Sequence, residues 1–278
     1  MTRWALLLEY NGTPFVGWQR QINGLSIQEV LEWAASRLNG GRPVASIVAG
    51  RTDAGVHAEG QVAHIDLLDG HSAKAIRDAL NFHMKPHPVV VLNAAAVAAD
   101  WSARFSANRR VYRFRILNRR SRPALMAGRV WHVPAPLNAD AMHDAAQRLL
   151  GRHDFSSFRA ATCQAKSPVR TLDRMDVTRC GDIIEIVTEA RSFLHHQVRN
   201  FVGTLKLVGD GRWSAERVTT VLEARNRAAA GPTAPPEGLT LIHVFYPDTP
   251  FPDQGHSPIR IIPRSGPSAG LGHPPVRD

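Results

Sequence analysis

The order of apolar patterns in the first hundred residues constrains this chain more than any other feature. Short apolar runs at 2–10, 44–49, 61–67 and 89–97 have strand character, and two stretches of helical periodicity interrupt them. Ser26-Ile27-Gln28-Glu29 is a capping box: the serine can accept from the backbone three residues on, and the glutamate can reach back. It predicts a helix with Ile27, Val30, Leu31, Ala34, Ala35 and Leu38 along one face, stopped by Asn39-Gly40-Gly41. Ser72 predicts the start of a second helix running through Leu80. A helix with one apolar stripe lies on a sheet. The resulting β-α-β-β-α-β order is that of ferredoxin-like, RNA-recognition-like folds.

Around 103–110 the chain changes register, and an arginine-rich strand at 109–117 opens a second half. Arg120-Ser121-Arg122-Pro123 and Pro134-Ala135-Pro136 read as breaks. Asn138 predicts a helix to Leu150 with Met142, Ala145, Ala146, Leu149 and Leu150 inward. Strands at 171–179 and 183–189 follow, then helices at 191–208 and 215–224 and a closing strand at 240–246. The reading is α+β, in two ferredoxin-like halves that form a mainly antiparallel sheet flanked by helices, with a cleft between them. The halves span 1–105 and 106–248 and echo each other without a sequence repeat. Residues 249–278 are rich in proline and glycine and are predicted to be a disordered tail.

Two halves of this size can each bury a core. The net charge of +10 favours a polyanionic partner through phosphate neutralisation, and by itself does not separate RNA from DNA or an acidic protein. Cys163 and Cys180 are too few for a disulfide framework, and reduced thiols are expected. The apolar stretch at 4–8 is too short for a signal-peptide core and is broken by Glu9. No run is long enough to cross a bilayer, so a cytoplasmic protein is expected.

One loop stands out from this framework. Gly50-Arg51-Thr52-Asp53-Ala54-Gly55-Val56-His57-Ala58 places a single carboxylate between two predicted strands, with an arginine two residues before it and a histidine four after. Gly50 and Gly55 are expected to let the backbone turn. The glycine spacing resembles the start of a phosphate-binding loop, but Val56-His57 stands where lysine and a hydroxyl residue are required. Asp53-Ala54-Gly55 resembles the aspartic-protease loop, but a partner such as Asp210-Gly211 lacks the hydroxyl residue between, and a +10 chain suits an acid protease poorly. What survives is one carboxylate acting alone as nucleophile or base, with Arg51 expected to keep it ionised, or a surface aspartate capping a turn. The loop alone leaves function open.

Those nine residues resemble the catalytic loop of the TruA-type pseudouridine synthase family. Glu9-Tyr10-Asn11-Gly12 and Gly17-Trp18-Gln19-Arg20-Gln21 resemble the family's opening, and Phe105-Ser106-Ala107 to Arg113 its central tyrosine strand. Asp154-Phe155-Ser156-Ser157-Phe158-Arg159, Phe193-Leu194-His195-His196-Gln197-Val198-Arg199-Asn200 and Gly238-Leu239-Thr240-Leu241 complete the series in family order over residues 3–247. Gln197 departs from it, since many relatives carry an apolar residue there, and the long tail is a second departure. The resemblance implies a cofactor-free isomerase that converts uridine to pseudouridine at positions 38, 39 and 40 of the tRNA anticodon stem-loop. It also implies a homodimer, with neither a membrane nor DNA as partner.

The same resemblance makes Asp53 the nucleophile on a flipped-out uridine, with Arg51 and Arg199 as the cations beside it. Tyr112 is then the active-site tyrosine, stacking on the base and assisting removal of the carbon 5 proton. Arg20, Arg104, Arg110 and His196 are expected RNA contacts. Phe15 is read as core, and Trp18 as either core or a stacking surface. No metal is expected at His195-His196: adjacent histidines on a helix diverge by about 100°, and no further ligand is spaced in sequence to join them.

Overall fold

A computed structural model describes residues 1–251, so the expectation for the tail lies, from residue 252 on, outside the described residues. These contain ten strands and five α-helices, an α+β arrangement. The first half runs β1 (Thr2–Tyr10), α1 (Ile27–Leu38), β2 (Ser46–Val48), β3 (His57–Leu67), α2 (Ala73–His83) and β4 (Val89–Val97), in the expected order. The rest runs β5 (Arg109–Leu117), β6 (Trp131–His132), α3 (Ala139–Gln147), β7 (Gly151–Asp154), β8 (Val169–Cys180), β9 (Ile183–Ala190), α4 (Gln197–Gly209), α5 (Glu216–Ala224) and β10 (Leu239–Phe245).

The helix starts follow the local chemistry. Ser26, Ser72 and Asn138 each accept from the backbone N–H three residues on, at 3.2, 3.2 and 3.0 Å. Each thereby satisfies an amide that has no partner inside its helix. Ile27, Val30, Leu31, Ala34 and Ala35 of α1 are buried as the stripe predicts.

One sheet gathers the strands in the order β4-β1-β3-β10-β5-β9-β8-β7, with β2 paired to β3 and β6 to β5. The pairing is antiparallel except at β3/β10 and β5/β6. The β3/β10 pair joins the two sets of strands. In its register Ala58 lies opposite Leu241, and Leu241 in turn lies opposite Tyr112. The start of β3, the last described strand and the middle of β5 therefore sit side by side. Whatever hangs from the β2–β3 loop is carried to Tyr112.

Two expectations need correction. The helix predicted for 191–208 begins only at Gln197, because His196 takes φ +62°, a left-handed conformation that an α-helix cannot run through. The helix predicted to Leu150 stops at Gln147, and Gly151, at φ +96°, turns the chain into β7.

The buried residues form one continuous core, in which Phe155, Phe158 and Phe201 pack with ring centroids 4.9–6.3 Å apart. Asn200 also donates to the Phe158 carbonyl at 2.8 Å. The Asp154–Arg159 motif thus seats α4, and α4 carries Arg199. Among the described residues no helix is long and apolar enough to cross a membrane.

Candidate active site

Asp53 is presented by a short loop that the first strand and its following segment hold in place. The Asp53 carbonyl accepts from Val56 N–H at 3.1 Å, with Gly55 at φ +77°. Glycine at the third position of such a turn is a type II signature, and a β-carbon would strain it. Gly50 has no positive φ. Gly17 does, at +109°, and a β-carbon there would meet the Thr52 carbonyl oxygen at 2.8 Å. That close approach lets Trp18 N–H donate to the Thr52 carbonyl at 3.0 Å. The Thr52 hydroxyl shares a 2.9 Å hydrogen bond with Tyr10, and Gln61 donates to the Tyr10 oxygen at 3.1 Å and to the Gly50 carbonyl at 2.8 Å. Burial pushes the Tyr10 phenol up to about 12, so it remains a fixed hydroxyl in this network.

The carboxylate itself is only 18% exposed and faces the start of α4. Arg199 Nη1 donates to Oδ2 at 3.1 Å, His196 Nε2 lies 3.5 Å from the same oxygen, and His195 Nε2 lies 3.4 Å from Oδ1. Burial pushes the Asp53 carboxyl up. The hydrogen bond with His195, the charge that His196 carries when protonated and the Arg199 hydrogen bond bring it below its ordinary value, so the group is ionised. Burial also lowers His196 more than the aspartate raises it, leaving that ring neutral at pH 7. Arg199 is then a permanent cation on the carboxylate. It is well held: its Nε donates to the Ala234 carbonyl at 2.8 Å.

Tyr112 lies across the loop, 8% exposed, its hydroxyl 3.9 Å from where a β-carbon on Gly50 would sit. The ring meets Phe193 edge-on at 5.3 Å. Burial, followed by the nearby Tyr10 and Asp53, raises its pKa, so the phenol keeps its proton.

Comparison with known proteins now bears on this geometry. A family model described as tRNA pseudouridine synthase matches residues 145–247. A tRNA pseudouridine synthase A of Acidiphilium cryptum strain JF-5 is 68% identical over 253 residues, covering 91% of this chain and 99% of the relative. The chain belongs to the tRNA pseudouridine synthase family. A tRNA pseudouridine synthase A of Rhodospirillum centenum is 60% identical over 246 residues, 88% of this chain and 100% of that one. One from Gluconobacter oxydans is 56% identical over 253 residues, 90% and 92% of the two chains.

For this pseudouridine synthase family member, the structure brings Asp53, Arg199 and Tyr112 together and leaves Arg51 aside. Arg51 is exposed, and the ion pairs of Asp53 run to His195, His196 and Arg199 instead. Arg110, expected to contact RNA, is buried. Its guanidinium donates to the carbonyls of Ala49 (2.7 Å), Arg104 (2.9 Å), Ala107 (3.1 Å) and Arg191 (2.6 Å). It ties the root of the Asp53 loop to the strand ends and has little left for phosphate. Arg20 is 55% exposed and pairs with Glu32 at 3.1 Å. Arg104 is exposed and lies over the Phe105 ring, 5.3 Å from its centroid. Trp18 and Phe15 are both buried, and both belong to the core.

His195 is the residue the sequence reading undervalued. The expectation that two adjacent histidines diverge assumes a helix, and the left-handed corner at His196 removes that assumption. The rings instead pack with centroids 4.0 Å apart, and both face the same carboxylate. The His-His pair four and three residues before Arg199 was the available signal. Gln197, the odd residue of its motif, is buried and accepts from Leu194 N–H at 2.7 Å, so it holds this corner closed.

Proposed function

We infer that this chain converts uridine to pseudouridine in tRNA, in the anticodon stem-loop at positions 38, 39 and 40, with Asp53 as nucleophile. The single observation that supports this most strongly is an ionised carboxylate in a largely buried site, opposed by Arg199 at 3.1 Å beside a buried tyrosine. A protein that only binds RNA gains nothing from a negative charge placed there, which repels phosphate.

The reaction exchanges one bond to the ribose for another. The bond from ribose carbon 1′ to base N1 breaks, the detached ring turns, and carbon 1′ bonds to carbon 5. N1 gains a proton and carbon 5 loses one. The base must leave the helical stack to reach the carboxylate. Whether Asp53 attacks the sugar or first removes a sugar proton, it must be ionised, and the hydrogen bonds with Arg199 and His195 supply that. Tyr112 offers a ring for stacking, worth about 1–3 kcal/mol per base, and as a protonated phenol it can pass the carbon 5 proton onward.

In this reading residues 1–105 supply the carboxylate and residues 106–248 supply Tyr112 and Arg199, as two ferredoxin-like halves around a cleft. Arg20, Arg104 and Arg51, all exposed, are left for phosphate, and Phe105 beside Arg104 for stacking. The enzyme works in the cytoplasm as a homodimer that shares its tRNA across both subunits. The test is to incubate purified protein with tRNA transcripts and map pseudouridine by carbodiimide modification and primer extension. New stops confined to the anticodon stem-loop are expected. Stops elsewhere, or none with tRNA bound, contradict the reading.

A further inference from the structure

We propose that Asp53, His195 and His196 form a site for a Zn2+-like divalent ion, and that the bound ion switches the enzyme off. Each residue offers one ligand atom, and the three lie within 4.8 Å of one another. The two carboxylate-to-imidazole separations are 3.4 and 3.5 Å. A tetrahedral ion with bonds of about 2.0–2.1 Å holds its ligands about 3.3 Å apart, so each imidazole already stands near ligand distance from a carboxylate oxygen, and no pair of ligand atoms, all within 4.8 Å, has to close by more than about 1.5 Å.

The donor set points to the class of ion. Two imidazole nitrogens and one carboxylate oxygen suit Zn2+, Co2+, Ni2+ or Cu2+, whereas Mg2+ prefers oxygen and keeps its waters. A histidine that binds metal through Nε2 commonly has a partner on its other nitrogen. His195 has one: its Nδ1 lies 3.4 Å from the Thr162 hydroxyl. The left-handed backbone at His196 is what turns both rings to one side, so the site depends on a corner that is uncommon for any residue but glycine.

Arg199 shapes the consequence. Its guanidinium stays on Oδ2 and opposes an incoming cation, which makes the ion exchangeable and not a permanent fixture. An ion on the carboxylate also occupies the lone pairs that must act on the sugar. The inhibitory half of the proposal rests on the reading of Asp53 as nucleophile, and the binding half does not.

The experiment uses full-length protein freed of metal with a chelator and exchanged into clean buffer. Zn2+ binding is followed by calorimetry, Co2+ binding by its visible absorption, and activity by tritium release from tRNA labelled at uridine carbon 5. One strong site is expected, with intense Co2+ bands, loss of activity over the same concentration range, recovery on chelator addition, and no effect of Mg2+. His195→Gln and His196→Gln, checked for folding by circular dichroism, should each weaken Zn2+ binding beyond the roughly 10–100-fold that loss of an outer partner costs. Thr162→Ala should weaken it by about tenfold. Zn2+ that binds wild type and both histidine variants alike overturns the site. Zn2+ that binds through the histidines yet leaves tritium release unchanged, or raises it, overturns the inhibitory role. A metal-free wild type with no activity at all, together with histidine-dependent binding, supports the site and counts against the proposed reaction instead.

Discussion

Two arginines six residues apart show how far side-chain placement decides a role. Arg104 is exposed beside Phe105, and Arg110 spends its donors on four backbone carbonyls. Arg104→Ala should weaken tRNA binding and reduce the slope of log affinity against log salt by about 1, with turnover at saturating tRNA unchanged. Arg110→Ala should instead lower stability by about 3 kcal/mol, since several buried carbonyls lose their donors. Filter binding across a salt series and urea denaturation separate the two. The same scale governs pH dependence. As pH falls below the depressed folded value of His196, which lies under the ordinary histidine value, the ring takes up a proton and tightens its hold on Asp53, so activity should fall with pH there. Its folded pKa is depressed by burial, so the unfolded chain binds that proton more readily and stability is also lost on the acid side. His57 and His64 act in the same direction: burial lowers both, and each accepts a backbone N–H on Nδ1, from Gly12 and Ala103, at 3.0 Å. A turnover profile that stays flat below pH 6.5 at full folding contradicts the role given to His196. Arg199→Ala removes the permanent cation, so the Asp53 carboxyl should rise and its activity loss should be greater at pH 6 than at pH 8.

Elements place these residues, and here a glycine matters more than a charged group. Gly17→Ala pushes a β-carbon into the Thr52 carbonyl from a backbone at φ +109°, so the loop must shift. We expect turnover to drop more than tenfold while tRNA affinity changes by less than about threefold, because a small displacement of a reacting group is costly to rate. Equal loss of both would place the Gly17 segment in tRNA binding. Much at this scale was legible in the sequence. The caps at Ser26, Ser72 and Asn138 are local chemistry, and the strand and helix order of the first half follows from periodicity. What escaped was set by distant partners. Nothing near His196 announces a left-handed corner, which Gln197 and the seat of α4 on Phe155 and Phe158 impose. The arginine at 110 looks like its neighbours in a basic strand until the carbonyls from residues 49 and 191 arrive. Asp53, by contrast, could be singled out from its loop, whereas Arg199, 146 residues away and bonded to it, was reached only through the family resemblance, and Arg51, near in sequence, makes none of its ion pairs.

At the scale of the whole molecule, one strand completes the site. β10, the last of the described strands, lies between β3 and β5 and fixes the distance between the carboxylate loop and Tyr112. A net charge of +10 draws in the tRNA, and binding should weaken steeply with salt while the chemical step of bound tRNA should not. The central claim is that Asp53 performs that step. Its most direct test is tritium release from tRNA carrying 5-tritiated uridine, with wild type and Asp53→Asn side by side. The account predicts release by wild type alone, with the variant binding tRNA within about tenfold, roughly 1.4 kcal/mol, of wild type. Release by both proteins would contradict it.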